Sequence, residues 1–150
     1  MVVVDKRLLA PCGLYCGVCG VLIAHRDKNE NFLARLAEFY GCRPEDLHCE
    51  GCLSGVRAEF CRICHIRACT LEKGYEGCHQ CQDWPCSYIE DFPLPVGKRV
   101  IMRTIPYWRE AGTERFVDEE EKRYKCPNCG YILFRGAKRC RECQEPVDLD

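Results

Sequence analysis

The cysteine spacing and a thin apolar content together predict a small, metal-stabilised α+β protein. The chain has 150 residues and 16 cysteines, and the 47% of residues counted as hydrophobic includes those cysteines. Ordering the backbone costs about 1–2 kcal/mol per residue, so a lean core needs additional cross-links. We therefore expect an irregular cysteine-rich multi-metal domain with short helices over 1–96, a helical linker over 97–125 and a C-terminal β zinc ribbon over 126–150.

The cysteines favour metal ions over disulfides because they fall into CxxC pairs. A CxxC turn directs two sulfur atoms at one point, as a tetrahedral metal requires, whereas a disulfide across so short a loop is strained. The six pairs are Cys16/Cys19, Cys49/Cys52, Cys61/Cys64, Cys78/Cys81, Cys126/Cys129 and Cys140/Cys143.

The charge pattern and the start of the chain favour the cytoplasm. Charged residues follow directly after a three-valine run, which is unlike a signal peptide, and no apolar run approaches the roughly 20 residues of a membrane span. A reducing cytosol also keeps thiols available for metals. The net charge of −1 excludes a strongly polybasic nucleic-acid binder.

The clearest helix before the linker is predicted over 29–40. Phe32, Leu33, Leu36 and Tyr40 form an apolar stripe at helical spacing. Asp27 or Asn29 is the expected N-cap, and Gly41 is a typical residue just beyond a helix.

The other helices are expected to be short or to lie in the linker. We predict them within 12–26, over 87–92, over 97–110, and over 113–124 with Thr113 as N-cap. Residues 48–86 are expected to form loops and cysteine knuckles.

The strongest metal quartet is C-terminal. Cys126 and Cys129 are followed after ten residues by Cys140 and Cys143, which is the pattern of a zinc ribbon. Gly130 would let the backbone turn so that its amides can donate hydrogen bonds to the sulfur atoms of the first knuckle. Rubredoxin-type iron uses the same ligands, but the second knuckle lacks the usual Pro and Gly, which favours zinc.

Two further quartets are predicted between residues 49 and 86. The first consists of two CxxC pairs, like the C-terminal quartet, whereas the second contains only one CxxC knuckle. Ligands from successive pairs could instead interleave in a cross-brace. The two sets are Cys49, Cys52, Cys61 and Cys64, and then Cys69, Cys78, Cys81 and Cys86.

The motif CxxxCxxC at Cys12, Cys16 and Cys19 has only three certain ligands. Cys42, His25, His48 or an exogenous group could be the fourth. The same spacing holds the [4Fe–4S] cluster of radical enzymes that use S-adenosylmethionine, but nothing here provides the strands of their barrel. Zinc is the favoured ion, and a simple iron–sulfur site is the alternative.

Four motifs together resemble a known family of small cysteine-rich bacterial and archaeal proteins of unknown function. They are CGLYCGVC at 12–19, CEGC at 49–52, CRICHIRAC at 61–69, and a stretch at 72–86 that opens EKG and closes CHQCQDWPC. The resemblance covers residues 10–110. It implies a cytosolic, metal-binding protein, frequent in anaerobes, without an assigned reaction. Cys42 falls outside the motif, which weakens it as a ligand.

These patterns predict a zinc-binding cytoplasmic protein with about three to four structural ions. It would be an interaction or assembly module with a protein partner, without catalysis, because no nucleophile grouping or phosphate loop is present. An iron–sulfur redox protein using Cys12, Cys16 and Cys19 is one alternative. A nucleic-acid-binding regulator is the other: seven basic and no acidic residues lie between Lys122 and Arg141, although a solvated surface is the favoured explanation. No membrane partner is expected.

Overall fold

Seven α-helices make up most of the regular structure in this computed structural model, which describes residues 3–150. No helix among those residues is long and apolar enough to span a membrane. The helices are α1 (Gly20–Arg26), α2 (Glu30–Tyr40), α3 (Glu59–Arg62), α4 (His65–Lys73), α5 (Ser87–Glu90), α6 (Pro95–Ala111) and α7 (Thr113–Arg123). Short 3-10 turns occupy Lys6–Leu8, Cys16–Val18, Pro44–Leu47 and Cys78–Gln80.

Helix α2 confirms the prediction for 29–40. The side-chain oxygen of Asn29 accepts a hydrogen bond of 3.0 Å from the backbone N–H of Phe32, so Asn29 is the N-cap. Gly41 ends the helix with φ 69°, in the left-handed region that glycine adopts without strain. The apolar stripe is buried through Phe32, Leu33 and Ala37.

Two local predictions are wrong. Helix α4 lies inside the region expected to be loops, where cysteines interrupt the apolar periodicity. Thr113 is the first residue of α7 and not its cap, because its hydroxyl instead accepts a hydrogen bond of 2.9 Å from the indole Nε1 of Trp108.

The C-terminal segment differs from the predicted β-ribbon. The described part of the chain contains no β-strand; two isolated antiparallel bridges, Lys125↔Ile132 and Arg139↔Pro146, stand in its place. Each bridge joins the residues on either side of one CxxC loop, and within the described residues no neighbouring bridge extends it into a strand. The fold is therefore mostly helical, with a cluster of four cysteines near its C-terminus.

The main hydrophobic cluster draws residues from all three predicted segments. Trp108, Phe116 and Tyr124 are at most 1% exposed, and Leu22 and Leu133 pack into the same cluster. Helices α6 and α7, expected as a linker, thus contribute the largest side chains of the core. The segment boundaries at 96 and 125 stay a prediction.

A smaller cluster lies between α1 and α2. It buries Ile23, Phe32 and Leu47 together with Cys49. The two clusters lie on either side of the Cys16–Val18 turn and α1, because Val18 and Leu22 face the main cluster while Val21 and Ile23 face the smaller one.

Gly13 allows the loop that carries Cys12 to lie against α6. Its φ is 91°, and a Cβ there would collide with Oγ1 of Thr104 and with the side chain of Ile105. Only glycine combines this backbone conformation with so close an approach. The first cysteine motif is therefore held directly on the core.

Candidate metal centres

The C-terminal quartet is fully assembled. Among residues 3–150, Cys126, Cys129, Cys140 and Cys143 form the one group of three or more candidate ligands whose ligand atoms all lie within 4.8 Å of one another. The Sγ atoms of Cys126 and Cys143 are 3.6 Å apart, as are those of Cys129 and Cys140. A tetrahedral ion with Zn–S bonds of about 2.3 Å separates its sulfur ligands by about 3.8 Å. The donor set therefore fits a single tetrahedral metal ion.

The two knuckles of this quartet have the same backbone design. Gly130 N–H donates to the Cys126 carbonyl at 2.8 Å, and Gln144 N–H donates to the Cys140 carbonyl at 3.0 Å. Both turning residues have positive φ, 78° at Gly130 and 64° at Gln144. Gln144 thus occupies the position where the sequence lacked the usual glycine.

Hydrogen bonds favour an ionised thiol at Cys143. The side chain of Asn128 and the backbone N–H of Glu145 lower the pKa of Cys143 to about 6. At Cys129 the Tyr131 backbone N–H also lowers the pKa, but desolvation and the other three thiols outweigh it and raise the pKa to about 12. Bringing four thiols together therefore penalises further ionisation until a cation enters, which is the electrostatic condition for metal binding.

The quartet of residues 69–86 surrounds a small cavity of about 40 Å³. Lys73 Nζ lies 3.8 Å from the Sγ of Cys81, and the pKa of Lys73 is raised by the charges of the Cys69 and Cys81 thiolates. These contacts bring cysteines from α4 and from the Cys78–Gln80 turn to one place. All four predicted ligands, Cys69, Cys78, Cys81 and Cys86, line the cavity.

The motif at 12–19 lies against the quartet of residues 49–64. The backbone N–H of Cys52 donates to the Sγ of Cys16 at 3.3 Å. Burial, followed by the charge of Cys19, raises the pKa of Cys16 to about 12. Burial and the charges of Cys16 and Cys12 raise the pKa of Cys52 well above its usual range. The structure thus joins the open motif to this quartet.

Arg135 brings a positive charge to the same motif from the C-terminal segment. Its backbone N–H donates to the Val18 carbonyl at 2.8 Å, and its Nη1 donates to the Tyr15 carbonyl at 3.1 Å. Burial lowers the pKa of Arg135, but the charges of the Cys19 and Cys16 thiolates outweigh this effect and raise it. Sequence reasoning counted Arg135 only as part of a basic run and missed this role.

The candidates for the fourth ligand are separated in space. His25 and His48 stack with ring centroids 4.8 Å apart beside an open cleft of about 650 Å³, which Cys49 also lines. Cys42 packs with Cys19 against the smaller hydrophobic cluster. Cys42 therefore shares a packing environment with Cys19 of the motif.

Intramolecular contacts account for most of the basic run. Lys122 pairs with Asp118, and the Arg141 guanidinium lies 4.4 Å from the ring centroid of Phe32. Three more of its side chains donate hydrogen bonds to backbone carbonyls, those of Arg123, Arg135 and Arg139. Five of its seven basic side chains therefore have a partner within the protein.

Comparison with known proteins assigns the family and no reaction. No curated protein and no solved structure is significantly similar to this chain. A family model described as a protein of unknown function, DUF3795, matches residues 8–91. This match covers more than half of the chain and all four cysteine motifs, in agreement with the resemblance seen in the sequence. The chain therefore belongs to the DUF3795 family.

Proposed function

We propose that this protein is a non-catalytic zinc–thiolate protein of the cytoplasm that acts as an interaction or assembly module. The observation that carries the proposal is the C-terminal quartet, whose sulfur atoms already have the spacing of a tetrahedral site. A site closed by four protein ligands leaves no open position for a substrate, so its ion is structural.

The remaining cysteines support further ions of the same kind. Cys69, Cys78, Cys81 and Cys86 all line one small cavity. With the cysteines of residues 12–64, the chain would hold about three to four ions. Each would link segments that share little other regular structure.

An exposed apolar surface supports the interaction role. Phe39 is 74% exposed and Ile63 is 79% exposed. Phe39 contacts the Tyr40 ring edge-on at 5.1 Å between centroids, and Tyr40 lies against Phe60 at 4.8 Å. Clustered exposed aromatic side chains are typical of protein contact surfaces.

Metal analysis with a folding readout tests the proposal. The full chain is purified under reducing, anaerobic conditions, and its zinc and iron are measured by mass spectrometry. We expect several zinc ions per chain and loss of helical circular dichroism on complete chelation, since zinc binding in small sites is worth about 10–16 kcal/mol. Unchanged dichroism and unchanged resistance to protease after complete metal removal would show that the ions are not structural.

An iron–sulfur redox protein is the second candidate. The observation that favours it is the buried thiol group of residues 12–64 with the Arg135 guanidinium beside it, because nearby positive charge and burial are the means by which proteins tune such clusters. Brown colour, acid-labile sulfide and a visible absorption band that bleaches on reduction would establish this candidate in place of zinc at these residues.

A further inference from the structure

We infer that Cys42 is a metal ligand and that the eight cysteines between residues 12 and 64 form two interleaved four-thiolate sites. The inference rests on the proposed metal-binding function and adds to it a ligand and a pairing. The first site is Cys19, Cys42, Cys49 and Cys61, and the second is Cys12, Cys16, Cys52 and Cys64.

The first site is indicated by a shared packing environment. Cys49 is buried in the smaller hydrophobic cluster, and Cys19, Cys42 and Cys61 are the partly buried cysteines that pack against that cluster. Cysteines from four separate segments thus converge beside α1 and α2.

Cys42 is directed toward this group by the end of α2. Its backbone N–H donates to the Ala37 carbonyl at 3.0 Å, which closes the turn that Gly41 begins. The neighbouring Tyr40 ring is half-buried and packs against the smaller cluster together with Cys19, Cys42 and Cys61. Tyr40 thus shares the packing environment of three of the four proposed ligands.

The second site is indicated on the other side of the Cys16–Val18 turn. Cys12 and Cys16 are buried in the main cluster, and Cys52 and Cys64 pack against it alone; Cys19 packs against both clusters, at the boundary between the two sites. The Cys52 N–H donates to the Cys16 Sγ at 3.3 Å.

The pairing divides each CxxC of residues 49–64 between the two sites. Cys61 lies in α3, whereas Cys64 is the N-cap residue of α4, so a helix boundary separates them. In the other pair, Gly51 has φ 126°, and a Cβ there would collide with the Arg7 carbonyl oxygen. Cys49 is buried in the smaller cluster, whereas Cys52 packs against the main cluster.

The spacing of the sulfur atoms bears on the kind of centre. Within residues 3–150, no three ligand atoms of either quartet all lie within 4.8 Å of one another. Binding would either draw the four thiols inward around one ion or enclose a larger centre. An iron–sulfur cluster is such a centre, because its four cysteine ligands bind four different irons. The pairing of cysteines is the same in both cases.

Double variants of the full chain test the pairing by metal content. The variants are Cys42→Ser, alone and combined with Cys49→Ser or with Cys52→Ser, and the Cys49→Ser/Cys52→Ser pair. We expect Cys42→Ser to lose one centre, addition of Cys49→Ser to lose nothing more, and addition of Cys52→Ser to lose a second. The Cys49→Ser/Cys52→Ser pair should also lose two centres. Loss of only one centre in that last variant would overturn the interleaved pairing.

Cadmium NMR provides a test that needs no variant. The wild-type protein is loaded with cadmium-113, and couplings from each ion to cysteine β-protons identify its ligands. We expect Cys42 and Cys61 on one ion and Cys12 and Cys64 on another. Metal content and couplings that exclude Cys42 would contradict this inference alone, whereas a wild-type protein without bound metal would contradict the proposed function.

Discussion

Substitution of Cys140 should unfold more than the C-terminal knuckles. Cys140 is fully buried and is one of the four assembled ligands. We predict that Cys140→Ser releases the C-terminal ion and destabilises the first cysteine motif, because the C-terminal segment packs into the main core. Its residues Leu133 and Val147 are 2% and 9% exposed there, and the Arg135 N–H bonds the Val18 carbonyl.

The size of the effect follows from the buried side chains. Full burial of a Leu or Val side chain is worth about 1.5–3 kcal/mol, so exposure of Leu133 and Val147 removes about 3–6 kcal/mol from the folded state. For a chain of this size, each kcal/mol shifts the unfolding midpoint by about 2–4 °C. We therefore expect the melting temperature to fall by about 6–24 °C.

Thermal unfolding and hydrogen exchange measure the two parts of this prediction. Backbone amides of residues 16–19 should exchange faster in Cys140→Ser. The matched control is Glu142→Ser, which changes an exposed residue of the same knuckle and leaves all four thiols in place. Loss of the ion with unchanged melting temperature and unchanged exchange at 16–19 would refute the coupling and would show that the C-terminal segment is an independent unit.

Three further predictions concern the core. Gly13→Ala should lower the free energy of unfolding in urea by at least about 2 kcal/mol, because backbone strain of about 1–2 kcal/mol adds to the collision with Thr104. The control is Gly112→Ala, which should show the strain alone because Gly112 has φ 89° and nothing lies within 4 Å of the added Cβ. Equal losses in the two variants would refute the collision. Trp108→Ala should cost about 3–5 kcal/mol, since the indole is fully buried between His79 and Phe116; a loss below about 1 kcal/mol would contradict this. Burial raises the pKa of three of the seven tyrosines, which are Tyr15, Tyr40 (to about 12) and Tyr124. The folded state therefore retains their protons when the unfolded chain loses them, and its stability falls as the pH rises above about 10. Absorbance at about 295 nm should show that these tyrosines ionise late, one of them with a pKa of about 12; a single ionisation step near pH 10 would exclude this.

Local signals in the sequence were sufficient for α2 and for the C-terminal quartet. Asn29 and Gly41 act at the helix ends through their own backbone and side-chain chemistry, and the two CxxC pairs each form a knuckle by bonds within a few residues. Features of this kind depend on short stretches of chain, and so a pattern of residue types predicts them.

Features that depend on distant contacts could not be predicted. Thr113 has the residue type of a helix cap, but its hydroxyl donates to the carboxylate of Glu76, 37 residues away. The β-ribbon expected after residue 125 is reduced to two bridges because the segment packs on the core, where Phe134 lies 5.0 Å from Phe32 between ring centroids. The position of Cys42 beside Cys19 likewise arises from the packing of α2 against α1.

The contact between Arg135 and the first motif has a consequence for biosynthesis. Tyr15 and Arg135 are 120 residues apart, so the loop that carries Cys12, Cys16 and Cys19 leaves the ribosome long before the guanidinium that fixes it. Contacts between such distant residues form late in folding. The thiols of this loop therefore pass through a period in which they are accessible to metal donors and to oxidants alike, and this period ends when the C-terminal knuckles dock.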